Sequence, residues 1–242
     1  MNKHIVLLPG WGLGVVPLHS LAETLDELLP DYTVQVQPLP TMQGQTAATV
    51  IEQLDQQLPK DCWLFGWSLG GMLATALAAR RQSTCAGLIS YASNARFVAV
   101  ENWPDALPAA TFAEFFELCG DDLPAGLKRF AVLCSQGAAQ PRALSRQLLE
   151  MTVLKDKDEA LAGLTVLAEL DNRRAIPSFA GPQLHLLAEN DAFMPSTTFN
   201  KLAELNPQAT VELLGQSHAS VFAEPQLLAQ RMQSFILSHC YA

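Results

Sequence analysis

A serine, an aspartate and a histidine in this sequence each follow a short apolar run, and together they are the residue types that carry out nucleophilic acyl transfer. The serine lies in Gly66-Trp67-Ser68-Leu69-Gly70, directly after Cys62-Trp63-Leu64-Phe65. A G-x-S-x-G between a strand and a helix is a turn so sharp that only glycines two residues before and after the serine let the two elements approach. A serine hydroxyl is a poor nucleophile at neutral pH, so it needs a base within hydrogen-bond reach and a carboxylate to orient that base. After the run Leu184 to Leu187 comes Ala188-Glu189-Asn190-Asp191, and after Val211 to Leu214 comes Gly215-Gln216-Ser217-His218. Asp191 and His218 therefore sit on loops that leave apolar runs, as Ser68 does. Two other readings stay open for the acid: Asp191 also suits the cap of a helix beginning at Pro195, and Glu189 is a second candidate. Of the remaining histidines, His4 and His185 lie at or in apolar runs, His19 in an early helical stretch and His239 near the end.

Acyl transfer passes through a tetrahedral oxyanion that must meet preorganised donors. The backbone NH of Leu69, which follows the serine and opens a helix, is one expected donor. The other is the amide of Trp11 in Pro9-Gly10-Trp11-Gly12, where the flanking glycines let the turn fold close to Ser68. No G-x-G-x-x-G or G-K-[ST] pattern follows that turn, which argues against a phosphate loop.

The elements that must hold these groups alternate. Ile5 to Leu8, Thr33 to Val36, Cys62 to Phe65, Gly87 to Tyr91, Leu184 to Leu187 and Val211 to Leu214 read as buried strands, with helical patterns between most of them. Such alternation predicts an α/β fold: a mostly parallel sheet flanked by helices, with its site beyond the carboxyl ends of the strands. The alternation breaks once, between about Arg96 and Ser178, where only helical stretches occur: Thr111 to Cys119, Gly126 to Leu133, Arg142 to Leu154 and Glu159 to Leu170. This pattern predicts an inserted helical lid, dividing the chain into a core over 1–95 and 180–242 and a lid over 96–179; a separate helical domain is the alternative.

The whole chain of 242 residues carries 15 Lys plus Arg against 24 Asp plus Glu, a formal net charge of -9. That balance argues against nonspecific nucleic-acid binding and requires a local basic patch for any acidic partner. Between Ala125 and Gln147 there is such a patch: Lys128, Arg129, Arg142 and Arg146 without an acidic residue. Arg142 and Arg146 are four apart and share one face of a helix. A solvated lid face is the plainer reading of the same residues. The five cysteines are scattered without C-x-x-C or histidine-interleaved spacing, which argues against a disulfide framework or zinc site and points to reduced thiols. The apolar run before Pro9-Gly10 is too short for a signal-peptide core or a membrane span, so a soluble, cytoplasmic protein with no membrane partner is expected; a monomer is expected as well.

Taken together, Leu7-Leu8-Pro9-Gly10-Trp11-Gly12, Gly66-Trp67-Ser68-Leu69-Gly70-Gly71, the stretch from Tyr91-Ala92-Ser93 to Trp103-Pro104, Arg129-Phe130, Asp191 and Ser217-His218-Ala219 resemble the α/β-hydrolase superfamily. Ser, then Asp, then His is the chain order of that fold. Within it the motifs are similar to BioH-type pimeloyl-[acyl-carrier protein] methyl ester esterases of biotin synthesis. The resemblance implies an α/β-hydrolase fold and carboxylesterase activity on the methyl ester of pimeloyl-[acyl-carrier protein], without a cofactor. It implies Ser68, Asp191 and His218 as the triad, Trp11 and Leu69 as oxyanion donors, and Phe130 as a lid residue against the acyl chain. It also implies an acyl-carrier protein as partner, met by Arg142 and Arg146 with Arg129 nearby. Pro9 stands where the family commonly has histidine, and Gln37-Pro38-Leu39-Pro40-Thr41-Met42 replaces its usual glycine-rich loop. A general short-chain carboxylesterase or another metabolite hydrolase is the first alternative, and a noncatalytic ligand receptor of the same fold the second.

Overall fold

The computed structural model of the chain describes residues 3–239; Cys240 lies outside them. The elements in order are β1 (Lys3–Leu8), α1 (His19–Leu28), β2 (Tyr32–Val36), α2 (Ala47–Gln57), β3 (Cys62–Trp67), α3 (Leu69–Arg81) and β4 (Gly87–Tyr91). Four helices follow without a strand: α4 (Ala109–Asp121), α5 (Leu123–Ser135), α6 (Pro141–Glu150) and α7 (Lys157–Glu169). The short α8 (Ala175–Ser178) leads back to β5 (Gln183–Leu187), α9 (Thr198–Leu205), β6 (Thr210–Leu213), α10 (Ser220–Ala223) and α11 (Pro225–Ser238). The six strands form one parallel sheet in the order β2-β1-β3-β4-β5-β6.

Burial explains why the strands were legible as apolar runs. Every residue of β3, β4 and β5 is buried, as a central parallel strand covered by helices on both faces requires. The edge strands differ from the buried reading: most of β2 and β6 is only partly covered, and Leu213 is exposed. The register brings strand ends level, with Leu8 opposite Gly66, Trp67 opposite Tyr91, and Leu187 opposite Leu213. The loops carrying Trp11, Ser68, Asp191 and His218 therefore leave one edge of the sheet.

The four consecutive helices span one insertion whose two ends meet. Arg96 bridges Asp171, and the Asn172 amide donates to the Ala95 carbonyl at 2.7 Å. Asp122 starts α5 by accepting from the Ala125 amide, and Asp156 starts α7 by accepting from the amides of Asp158 and Glu159. The largest boundary difference from the sequence reading is the end of α6. Helix α6 stops at Glu150, not Leu154, because the Val153 amide leaves the helix to donate to the carbonyl of Gly12 at 2.9 Å. The apolar Val153 and Leu154 continue a helical spacing but cover the glycine turn after β1. Among the described residues, no helix is long and apolar enough to cross a membrane, and no three potential metal ligands cluster.

Helix α3 packs against β3 through glycines. A Cβ on Gly66 would overlap the Gly70 carbonyl, and one on Gly70 would overlap the carbonyls of Leu8 and Pro9. Overpacking of this kind acts against rigid backbone, so Gly66→Ala should lower stability by about 1–3 kcal/mol, seen as a lower urea midpoint at unchanged slope.

A second expectation concerns acid. His185 is buried in β5; Gln183 Oε1 accepts from its Nε2, so its Nδ1 accepts from the Ser90 hydroxyl at 2.8 Å. Burial disfavours the charged ring and lowers its pKa to about 4 from an ordinary 6.5. The unfolded chain then binds a proton that the folded one refuses, so this stability is complete above pH 6.5 and is lost as pH falls from 6.5 to about 4, by about 3 kcal/mol. Asp55 acts lower. Burial raises its carboxyl, but Lys60 and Arg81 outweigh that and hold it at about 2, so its contribution fades only below pH 3.8. Urea unfolding at pH 7, 5.5 and 4.5 should show falling stability, and His185→Gln should flatten that dependence.

Candidate active site

Ser68 joins β3 to α3 with φ 54° and ψ −119°, a left-handed backbone that L-residues avoid. It is held there from several sides. The Ser68 amide donates to the Tyr91 carbonyl at 2.9 Å, and its own carbonyl accepts from the amides of Gly71 and Met72 and from the Ser93 hydroxyl. The turn after β1 passes close by: a Cβ on Gly10 would stand 3.4 Å from that of Ser68. Leu69 is the first residue of α3, and amides in a first turn have no acceptor within their own helix.

Asp191 and His218 meet across the loops that follow β5 and β6. His218 Nδ1 lies 2.8 Å from Asp191 Oδ2, and both side chains are almost wholly buried. A carboxylate oxygen can only accept here, so Nδ1 carries the proton and a neutral ring presents its lone pair at Nε2. That Nε2 is buried and has no hydrogen-bond partner. The hydroxyl of Ser68 is thus not bonded to it in this state, although both residues line the same pocket. Contacts between a nucleophile and its base are often loose without substrate and tighten around it. The other Asp191 oxygen accepts from the amides of Phe193 and Met194. The aspartate therefore shapes its own loop as well as meeting the histidine; the helix beyond starts only at Thr198.

The pocket shared by Ser68 and His218 is roofed by the insertion. Phe97, Phe115, Phe130, Leu164 and Leu167 make most of its wall apolar, and among the described residues that line it Arg129 is the one lysine or arginine. Phe130 packs edge-on to Trp11 at 5.0 Å between ring centres. The Trp11 indole donates to the Ala160 carbonyl at 3.0 Å, so α7 holds the side chain of the residue whose amide was expected at the oxyanion. Arg142 and Arg146 are elsewhere. They are exposed on α6 and line a separate surface depression with Val132 and Gln136. Arg129 also has an acidic neighbour from outside its stretch of sequence, Glu114 of α4 at 4.0 Å. That proximity comes from α4 packing on α5 and has no sequence signal.

Three residues that the sequence reading did not assign to the site support it. Phe193 sets its ring edge-on to His218 with centres 4.8 Å apart. Trp67 donates from its indole to the His218 carbonyl, and Tyr91 from its hydroxyl to the Ser217 carbonyl, both at 2.8 Å. Burial raises the Tyr91 phenol well above its ordinary range, so it stays a donor. Trp67, directly before Ser68, and Phe193, two residues after Asp191, carried a positional hint along the chain.

Comparison with known proteins bears on the whole chain. Residues 5–231 match the alpha/beta hydrolase family. The biotin biosynthesis bifunctional protein BioHC of Cellvibrio japonicus (strain Ueda107) is 37% identical over 96% of this chain and 47% of its own length, so the chain spans about half of that relative. The pimeloyl-[acyl-carrier protein] methyl ester esterase of Xanthomonas oryzae pv. oryzae (strain MAFF 311018) is 31% identical over 97% of this chain and 95% of its own. Among solved structures, a bromoperoxidase from Bacillus anthracis superposes with a TM-score of 0.84 over 98% of this chain and 92% of its own, at 18% identity, a likeness of fold. The chain belongs to the alpha/beta hydrolase family, and within it groups with the BioH-like pimeloyl-[acyl-carrier protein] methyl ester esterases.

Proposed function

We propose that this chain is a serine carboxylesterase that hydrolyses the methyl ester of pimeloyl-[acyl-carrier protein] in biotin synthesis. The observation that carries the reading is that a strained, buried serine and an aspartate-bonded histidine line one apolar pocket. Ser68 Oγ attacks the ester carbonyl while His218 Nε2 takes its proton, and Asp191 stays ionised and steadies the imidazolium. The amides of Leu69 and Trp11 receive the oxyanion. Methanol leaves with the proton from His218, and water activated by the same ring frees the carboxylate and Ser68. The apolar wall with Phe130 accepts the methylene chain and keeps bulk water from the intermediate.

Residues 96–179 act as a lid, and the cytoplasmic monomer meets its carrier there. Acyl-carrier proteins are acidic, and Lys128, Arg142 and Arg146 are exposed on lid helices of a chain whose formal net charge is -9. A focal basic surface steers an acidic partner that the rest of the molecule repels. Arg129 also lines the pocket itself. The relatives' names support the substrate, since the Xanthomonas protein is named for this methyl ester.

Ser68→Ala and His218→Ala should each lower turnover of short p-nitrophenyl esters on the order of a thousandfold or more; either variant keeping wild-type turnover contradicts the mechanism. Replacing Arg142 and Arg146 with Glu should raise KM for the carrier-bound methyl ester far more than for a small ester, with the gap widest at low salt. Equal change on both substrates contradicts the docking role.

A further inference from the structure

We propose that Ser220 and Glu224 form a brace that positions His218 for catalysis, an inference that rests on the esterase reading of the same site. Ser220 is fully buried, and its hydroxyl oxygen accepts from two consecutive backbone amides, Gln216 and Ser217, each at 3.0 Å. Those amides immediately precede His218. The Ser220 hydroxyl has one proton, and it goes to Glu224 Oε2 at 2.5 Å. The same carboxylate oxygen accepts from the Gln216 amide at 3.1 Å. Glu224 thereby fixes the rotation of the Ser220 hydroxyl, turning its lone pairs toward the loop.

The brace works against anchors on the other side. The indole of Trp67 and the hydroxyl of Tyr91 hold the carbonyls of His218 and Ser217 from the sheet, while Ser220 and Glu224 hold the amides before them. The loop also carries the acid: the Glu189 amide donates to the Gly215 carbonyl and the Asn190 amide to the Gln216 carbonyl. One brace thus sets both partners of the His218–Asp191 bond. Neither Ser220 nor Glu224 lines the pocket, and its apolar wall comes largely from other elements. Loss of the brace should therefore impair the chemical step and leave substrate binding nearly intact.

The test compares Ser220→Ala, Glu224→Ala, the double variant and wild type on a p-nitrophenyl ester, with Ser68→Ala as a check on the nucleophile. Misplacement of a base by about an ångström is expected to lower kcat about 10- to 100-fold, with KM within about twofold. The double variant should match Ser220→Ala, because both act through one network. The downfield proton resonance of the His218–Asp191 bond should broaden in all three. Leu54→Ala, in α2 and remote from the loop, controls for lost stability and should keep kcat and that resonance. Glu224→Asp, which withdraws the carboxylate by one methylene and retains its charge, covers the case in which an alanine variant fails to fold, and should also lower kcat with KM held. Unchanged kcat in the braced-loop variants, additive losses, or equal losses in Leu54→Ala overturn the brace. Wild-type turnover in Ser68→Ala overturns the esterase reading instead.

Discussion

The close approach of α3 to β3 and β1 is the constraint on which the rest of the molecule depends. Gly66 and Gly70 let backbone meet backbone where any side chain would intrude, and the turn between them holds Ser68 in a left-handed conformation. The strain is sustained because the surroundings leave no alternative: the amide and carbonyl of Ser68 are both tied to neighbouring elements. The same geometry leaves the Leu69 amide at a helix start and brings the Gly10 turn against Ser68. One packing contact thus presents the hydroxyl and arranges the donors beside it.

The insertion does more than cover the pocket. Val153 donates to the Gly12 carbonyl, Ala160 accepts from the Trp11 indole, and Phe130 packs on that indole. These contacts join the glycine turn of the core to α5, to α7 and to the segment before α7. The position of the turn and the seating of these helices are therefore mechanically linked. The segment Gln37 to Met42 lines a second depression beside Trp11 and Leu69 through Pro38, Leu39, Pro40 and Met42.

Much of this was legible in the sequence because the physics is local. Residues buried on both faces must be apolar for the length of a strand, so β1, β3, β4 and β5 stand out. The elbow announces itself through its glycines, and the loops bearing Asp191 and His218 through their place after strands. What failed was tertiary. The spacing of Val153 and Leu154 suits a helix, yet Gly12 takes the Val153 amide and ends it. Leu213 is apolar but lies on an edge strand, and Glu114 meets Arg129 from a different helix. The contacts of Trp67, Tyr91 and Phe193 with the His218 loop span dozens of residues or depend on ring orientation, and no pattern along the chain encodes them.

The central claim is that Ser68 performs hydrolysis of a carrier-bound methyl ester. It is tested most directly by titrating the protein with a fluorophosphonate while mapping labelled peptides and following methanol release from pimeloyl-[acyl-carrier protein] methyl ester. Activity is expected to fall in step with modification of Ser68 and to vanish when that residue is fully labelled. Methanol release that persists with Ser68 fully modified would contradict that claim.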